Sequence, residues 1–283
     1  MTEAPLLVVE DLQVDFATPK GLVEAVRGVN FTLGREKLGI VGESGSGKSV
    51  TGRAILKLIR PPGRVRAKRL EFNGIDLLGA DERAMRKIRG EGISMVMQDP
   101  KFSLNPVMTV GAQVAEAYRI HAGTSAAEAK RRSLEMLAAV RIRDPERVFR
   151  AYPHEVSGGM GQRIMIAMML IPDPDILIAD EPTSALDVTV QLQVLAIMDD
   201  LVTQRGMGLI FISHDLSLVA SFCDRVLIMY GGRIMEVCEA SKLAEAQHPY
   251  TQGLLHCLPR VEGGGAADLP VLTRDPAWLE QGV

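Results

Sequence analysis

A basic excess, paired cysteines and long apolar runs are all missing from this chain of 283 residues, and each absence closes off a class of function. Lysine and arginine number 32 against 35 aspartates and glutamates, a formal net charge of −3, so charge gives no reason to expect a nucleic-acid partner. The three cysteines, Cys223, Cys238 and Cys257, lie far apart and form no C-x-x-C pair. They read as reduced thiols of a cytosolic protein, with no disulfide framework or structural zinc. The longest purely apolar run starts at Ile164 and stops at Pro172, well short of the roughly 20 residues that span a bilayer. The opening MTEAPLLVVEDL has neither the basic start nor the apolar core of a signal peptide. The expectation is a soluble chain that reaches a membrane only through a partner. No internal repeat and no sustained heptad pattern is present.

What the chain does have is short apolar runs alternating with helical patterns, the signature of an α/β fold with a mostly parallel sheet. Lys37 to Val41 reads as a buried strand and Lys48 to Ile59 as a helix stopped by Pro61-Pro62-Gly63. Ile93 to Met97 reads as another strand, followed by the breakers Asp99-Pro100 and Asn105-Pro106. From about Thr109 to Arg150 the spacing is helical, most clearly over Ser125 to Val140. Strands resume at Ile176 to Ala179, Gly208 to Ile212 and Val226 to Met229, separated by helices near Val188 to Gln204 and Asp215 to Phe222. Beyond Ala240 come two short helices around His248-Pro249-Tyr250, a break at Gly263 to Gly265, and a tail without period.

Three motifs carry chemistry. Gly42-Glu43-Ser44-Gly45-Ser46-Gly47-Lys48-Ser49 follows a strand and opens a helix, the context of a phosphate-binding loop. Its glycines let backbone N–H groups approach phosphate oxygens, Lys48 can neutralise the outer phosphates, and the Ser49 hydroxyl can ligate magnesium. Asp180-Glu181 ends a buried strand; alone it would read as a solvated turn, but beside a phosphate loop it supplies a metal carboxylate and a base for water. Ser157-Gly158-Gly159 opens a second helix whose unpaired N–H groups, positive dipole end and serine cap suit another anion. Two phosphate-seeking helix ends on one chain point to a nucleotide held between two subunits.

Taken in order, the phosphate loop, Gln98 after a strand, Ser157-Gly158-Gly159, Asp180-Glu181, Ser184-Ala185-Leu186-Asp187 and His214 after Ile210-Phe-Ile-Ser resemble the ATP-binding subunits of ABC transporters, over roughly Leu6 to Pro259. The resemblance implies a RecA-like parallel-sheet core with an antiparallel β part (1–100 and 165–240), a helical subdomain (101–164) and a truncated C-terminal extension (241–283). It implies that Gly42, Glu43, Ser44, Gly45, Ser46, Gly47, Lys48, Ser49 and Val50 hold ATP, with Phe16 stacking on adenine where the family more often has tyrosine. Ser49, Gln98 and Asp180 would serve magnesium. Glu181, His214, Gln98 and Lys48 would be catalytic. Ser157, Gly158 and Gly159 would bind the γ-phosphate of the opposite subunit's ATP, and Asp187 would report across the seam.

A narrower resemblance, to the oligopeptide, dipeptide and nickel import group, rests on Met97-Gln-Asp-Pro with Ser103-Leu-Asn-Pro106, Tyr152-Pro-His-Glu, Ser157-Gly-Gly-Met160, Ile178 to Gln191 and His248-Pro-Tyr-Thr251. Met160 stands where glutamine is more widespread, and the group shares that departure. Many members hold an iron–sulfur centre on a C-terminal cysteine cluster. Only Cys257 lies beyond position 240 here, so no cluster is expected. The implied partners are a second, related but different ATP-binding subunit, two transmembrane permease subunits and, indirectly, an extracytoplasmic solute-binding protein, with no nucleic acid. The implied place is the cytoplasmic face of the membrane, peripherally. Peptide import is the leading reading; nickel import is the rival within the group, and a soluble ABC ATPase of DNA repair or translation is the rival of another class.

Overall fold

A computed structural model of the chain describes residues 4–97, 103–184, 186–257 and 275–279. Gln98 and Ala185, and with Gln98 its expected role at the metal and attacking water, lie outside the described residues, as does the break at Gly263 to Gly265. The chain divides into two compact units, one of Met1–Gly79 with Ile210–Val283 and one of Ala80–Leu209.

The first unit opens with a long hairpin, β1 (Leu7–Thr18) and β2 (Gly21–Leu33). Its turn is closed by the Thr18 hydroxyl donating to the Gly21 carbonyl at 2.7 Å. Strand β3 (Lys37–Val41) follows, buried from Leu38 onward, and leads to helix α1 (Lys48–Ile55). That helix ends before the proline pair expected to stop it, because Lys57 turns left-handed at φ 51. Pro61-Pro62 lies beyond the break. Short strands β4 (Gly63–Arg66), β5 (Arg69–Phe72) and β6 (Ile75–Asp76) complete the antiparallel sheet, in which β4 and β5 both pair with β1.

The second unit carries α2 (Glu82–Lys87), β7 (Ile93–Val96), α3 (Val110–Ala122), α4 (Ala126–Ala139), α5 (Pro145–Arg150), α6 (Gly158–Leu170), β8 (Ile176–Asp180) and α7 (Val188–Arg205). Its helices start where short polar side chains can hold the first free N–H groups. Thr109, Ser125, Asp144, Ser157 and Asp187 each accept from the backbone three positions on, at 3.0 to 3.4 Å. Strand β9 (Gly208–Ser213) starts in this unit and continues in the first. The chain then returns with α8 (Leu216–Phe222), β10 (Arg225–Tyr230), β11 (Arg233–Glu239) and α9 (Pro249–His256).

Within the first unit β11, β10, β3 and β9 lie side by side in that order, β3 parallel to β10 and β11 antiparallel to it. Within the second, β7 runs parallel to β8, which neighbours the start of β9. These strands read as continuous apolar runs because helices cover both faces of such a sheet. Ile176, Leu177, Ile178, Leu209, Ile210 and Phe211 are all fully buried.

Helix α8 packs on β3 so closely that a Cβ on Gly39 would fall 2.2 Å from Val219 Cγ1 and 3.1 Å from Cys223 Sγ. Gly39→Ala should therefore cost about 1–3 kcal/mol, read as a lowered midpoint in urea. An unchanged midpoint would show that the contact yields freely. Burial also pushes the Cys223 thiol up to about 12 from an ordinary value of 9.0, with nearby Lys37 drawing it down and Asp224 adding to the rise. The folded state thus holds this proton more tightly than the unfolded chain. The resulting stability is complete below pH 9.0 and is lost as pH rises from there through about 12. Cys223→Ala should flatten the decline of the urea midpoint over that window, and equal slopes in both proteins would exclude the thiol as its cause.

Candidate functional site

In the first unit, β3 feeds the loop directly. Gly42 is hemmed in by β10: a Cβ there would lie 2.1 Å from the Met229 carbonyl oxygen. The loop folds on itself, with Ser46 N–H donating to the Glu43 carbonyl at 3.2 Å, and Gly47 caps α1 in a left-handed conformation. Lys48 is only 5% exposed. Its ammonium donates to the carbonyls of Gly42 and Glu43 at 2.7 and 2.8 Å and to the Ser46 hydroxyl at 3.4 Å. A buried cation at a helix N-terminus, ringed by small residues, fits an anionic group such as a polyphosphate. Ser49 and Val50, half-buried, continue the helix from it.

His214 follows the end of β9 and is exposed. Together with Gly42 and Glu43 it lines a cavity of about 450 Å³, whose wall also includes Leu254 and Cys257. The structure thus gathers the start of the phosphate loop and the histidine at one place. Phe16 is elsewhere on this unit. It is half-exposed on β1, opposite Gly63 of β4, and does not line that cavity.

In the second unit, Ser157 caps α6, its hydroxyl accepting the Met160 N–H at 3.4 Å. Ser157 and Gly158 are exposed, and a Cβ on Gly158 would meet nothing. Gly159 differs: a Cβ there would lie 2.7 Å from Val190 Cγ1 on α7. Arg163, one turn on, donates to the carbonyls of Gly159 at 3.2 Å and Arg141 at 3.0 Å. Burial lowers its pKa, and neighbouring Arg143 lowers it further.

Asp180, 2% exposed, closes β8. Glu181 follows with φ 47, a left-handed conformation that costs a non-glycine residue about 1–2 kcal/mol. Its carbonyl receives the Ser184 hydroxyl at 3.2 Å. Buried Gln162 of α6 donates to the Pro182 carbonyl just beyond. Asp187 caps α7, its carboxylate accepting the Val190 N–H at 3.0 Å. Hard oxygen donors suited to magnesium are therefore present in both units, the Ser49 hydroxyl in one and the Asp180 carboxylate in the other.

Two residues of this machinery escape a motif-based reading. Gln162 holds the backbone behind Glu181, and its only sequence signal is its place directly after Ser157-Gly-Gly-Met-Gly161. Tyr250 accepts the Glu43 N–H at 3.3 Å. Its signal is membership of His248-Pro-Tyr-Thr251, whose spacing says nothing about the phosphate loop.

The sequence pattern of the family described as "ABC transporter" matches residues 26–184. The oligopeptide transport ATP-binding protein OppD of Salmonella typhimurium is 48% identical over 98% of this chain and 85% of its own length. OppD of Bacillus subtilis is 48% identical over 97% of this chain and 77% of its own. Among solved structures, an ATP-binding cassette in a dimeric post-hydrolysis state with ADP and Pi superimposes with a TM-score of 0.73. It is 26% identical, covering 83% of this chain and 98% of its own. The chain belongs to the ABC transporter family and carries that family's ATP-hydrolysing cassette.

Proposed function

We propose that this chain is the ATP-driven motor of an importer of di- and oligopeptides, binding and hydrolysing ATP at the seam of two cassettes facing head to tail. What carries the peptide reading is the 48% identity to oligopeptide transport ATP-binding proteins over nearly the whole chain, the C-terminal segment included. The opposite cassette is a related, different chain. Two permease subunits sit above the pair, and a binding protein delivers solute to them from outside. Among the described residues no helix is long and apolar enough to cross a membrane. In this reading the permease subunits hold the chain at the cytoplasmic face of the membrane. Residues 1–100 with 165–240 form the nucleotide-binding core, 101–164 the helical subdomain and 241–283 the extension. A groove along α3, formed by residues such as Met108, Ala112, Arg119 and Ile120, offers the helical subdomain a place to receive a permease segment. Ile120 there is 71% exposed.

Lys48 and the loop N–H groups take the outer phosphates, and Phe16 packs against adenine. The Ser49 hydroxyl and the Asp180 carboxylate would each offer a hard oxygen to magnesium, which would supply positive charge to the phosphate oxygens. Water attacks the γ-phosphorus as the bond to ADP breaks; Glu181 accepts the water proton, and ADP and phosphate leave. His214 holds the γ-phosphate side of the site. Ser157, Gly158 and Gly159 offer their helix end to the ATP of the other cassette, beside the Asp187 cap. Exposed Val188 and Leu192, at the start of α7, supply apolar area for that seam.

Glu181→Gln should leave ATP affinity within about threefold and lower turnover by about 10²-fold or more. Turnover like the wild type's would remove Glu181 as the base. In cells, loss of this chain should abolish uptake of a labelled tripeptide, and the wild-type chain should restore it where Glu181→Gln does not. Undiminished tripeptide uptake without the chain would overturn the peptide reading.

A further inference from the structure

The C-terminal helix α9 is built into the phosphate loop. Its start is pinned to β11 by Glu236, whose carboxylate accepts the N–H groups of Gln247 at 2.6 Å and His248 at 3.2 Å. His248 caps the helix, Nδ1 accepting the Tyr250 N–H at 3.1 Å. Tyr250 is fully buried. Its ring lies 4.7 Å from that of Tyr230 on β10 and 5.6 Å from that of Trp278. With two torsions and aromatic neighbours, the hydroxyl has its position set by packing.

That hydroxyl oxygen accepts the Glu43 N–H at 3.3 Å. The nitrogen belongs to the same planar peptide as the Gly42 carbonyl, which accepts the Lys48 ammonium at 2.7 Å. Any rotation of this peptide breaks both bonds together. On the other side, the Met229 carbonyl leaves Gly42 no room to shift towards β10. The far end of α9 supplies Leu254, and the residue that follows it Cys257, to the cavity shared by Gly42, Glu43 and His214.

We propose that Tyr250 is a positioning residue for ATP: through the Gly42–Glu43 peptide it sets the carbonyl on which the Lys48 ammonium stands, so the C-terminal extension tunes nucleotide affinity. This rests on the reading of the loop as the ATP site. Lys48 acts on phosphates that are present from binding onward, so losing its alignment weakens binding more than the chemical step.

Tyr250→Phe removes the hydroxyl and keeps the ring on Tyr230 and Trp278. In the full chain, assembled with its partners for turnover, it should raise the Kd and KM for magnesium–ATP about 3- to 10-fold, the weight of one net hydrogen bond. Saturated kcat should stay within about twofold and the thermal midpoint within a few degrees. Unchanged Kd and KM, or tighter binding, overturns the proposal. So does a fall in thermal midpoint with kcat and KM changing together, which marks a merely structural tyrosine. A wild-type chain that binds no magnesium–ATP would instead sink the reading of the loop itself.

Discussion

A buried ammonium has to be compensated by something, and the loop between β3 and α1 is shaped by doing this for Lys48. Two backbone carbonyls point inward to meet it, which bends the loop back over its own helix. Bending the loop so far presses Gly42 against the end of β10, where no side chain fits. With the Ser46 hydroxyl they hold the ammonium beside the N-terminus of α1, where its charge and the helix end together favour a polyphosphate. The same arrangement that fixes the loop thus presents positive charge at a helix end, and β3, β10 and α9 are the walls that keep it in place.

The second unit obeys a different constraint, set by how two of its helices are tied together. Helices α6 and α7 are tied at both ends. At their starts, Val190 occupies the space a side chain on Gly159 would need, and the N–H of that valine is the one held by Asp187. At their ends, Arg205 donates to the Leu170 carbonyl at 2.7 Å and to Asp173 at 2.9 Å. The Ser157 cap and the Asp187 cap are thus fixed relative to one another. In the proposed dimer, both would meet the opposite cassette as one surface.

Most of the motifs were legible because each is local: a strand, a few glycines and a helix cap lie within a dozen positions. The helix starts were equally readable from Ser125, Ser157, Asp187 and Asp215. Helix α1 was read four residues too long, since nothing in the composition announces that Lys57 turns left-handed. The strands of the N-terminal hairpin could not be bounded from sequence, because bulges around Val9 to Leu12 interrupt their alternation. Tyr250 and Glu43 are 207 positions apart, and only the fold brings them together. Gln162 was invisible for a related reason, as its partner is a backbone carbonyl beyond the next strand.

The left-handed backbone at Glu181 has a consequence for how such a protein ages under selection or in the hands of an engineer. Glycine at that position would relieve the conformational penalty. A screen that rewards heat resistance alone would therefore favour losing this carboxylate, and on the proposed role of Glu181 its winners would be sturdy and inert. A glutamate on an unfavourable backbone accords with the proposed role of its carboxylate as the base.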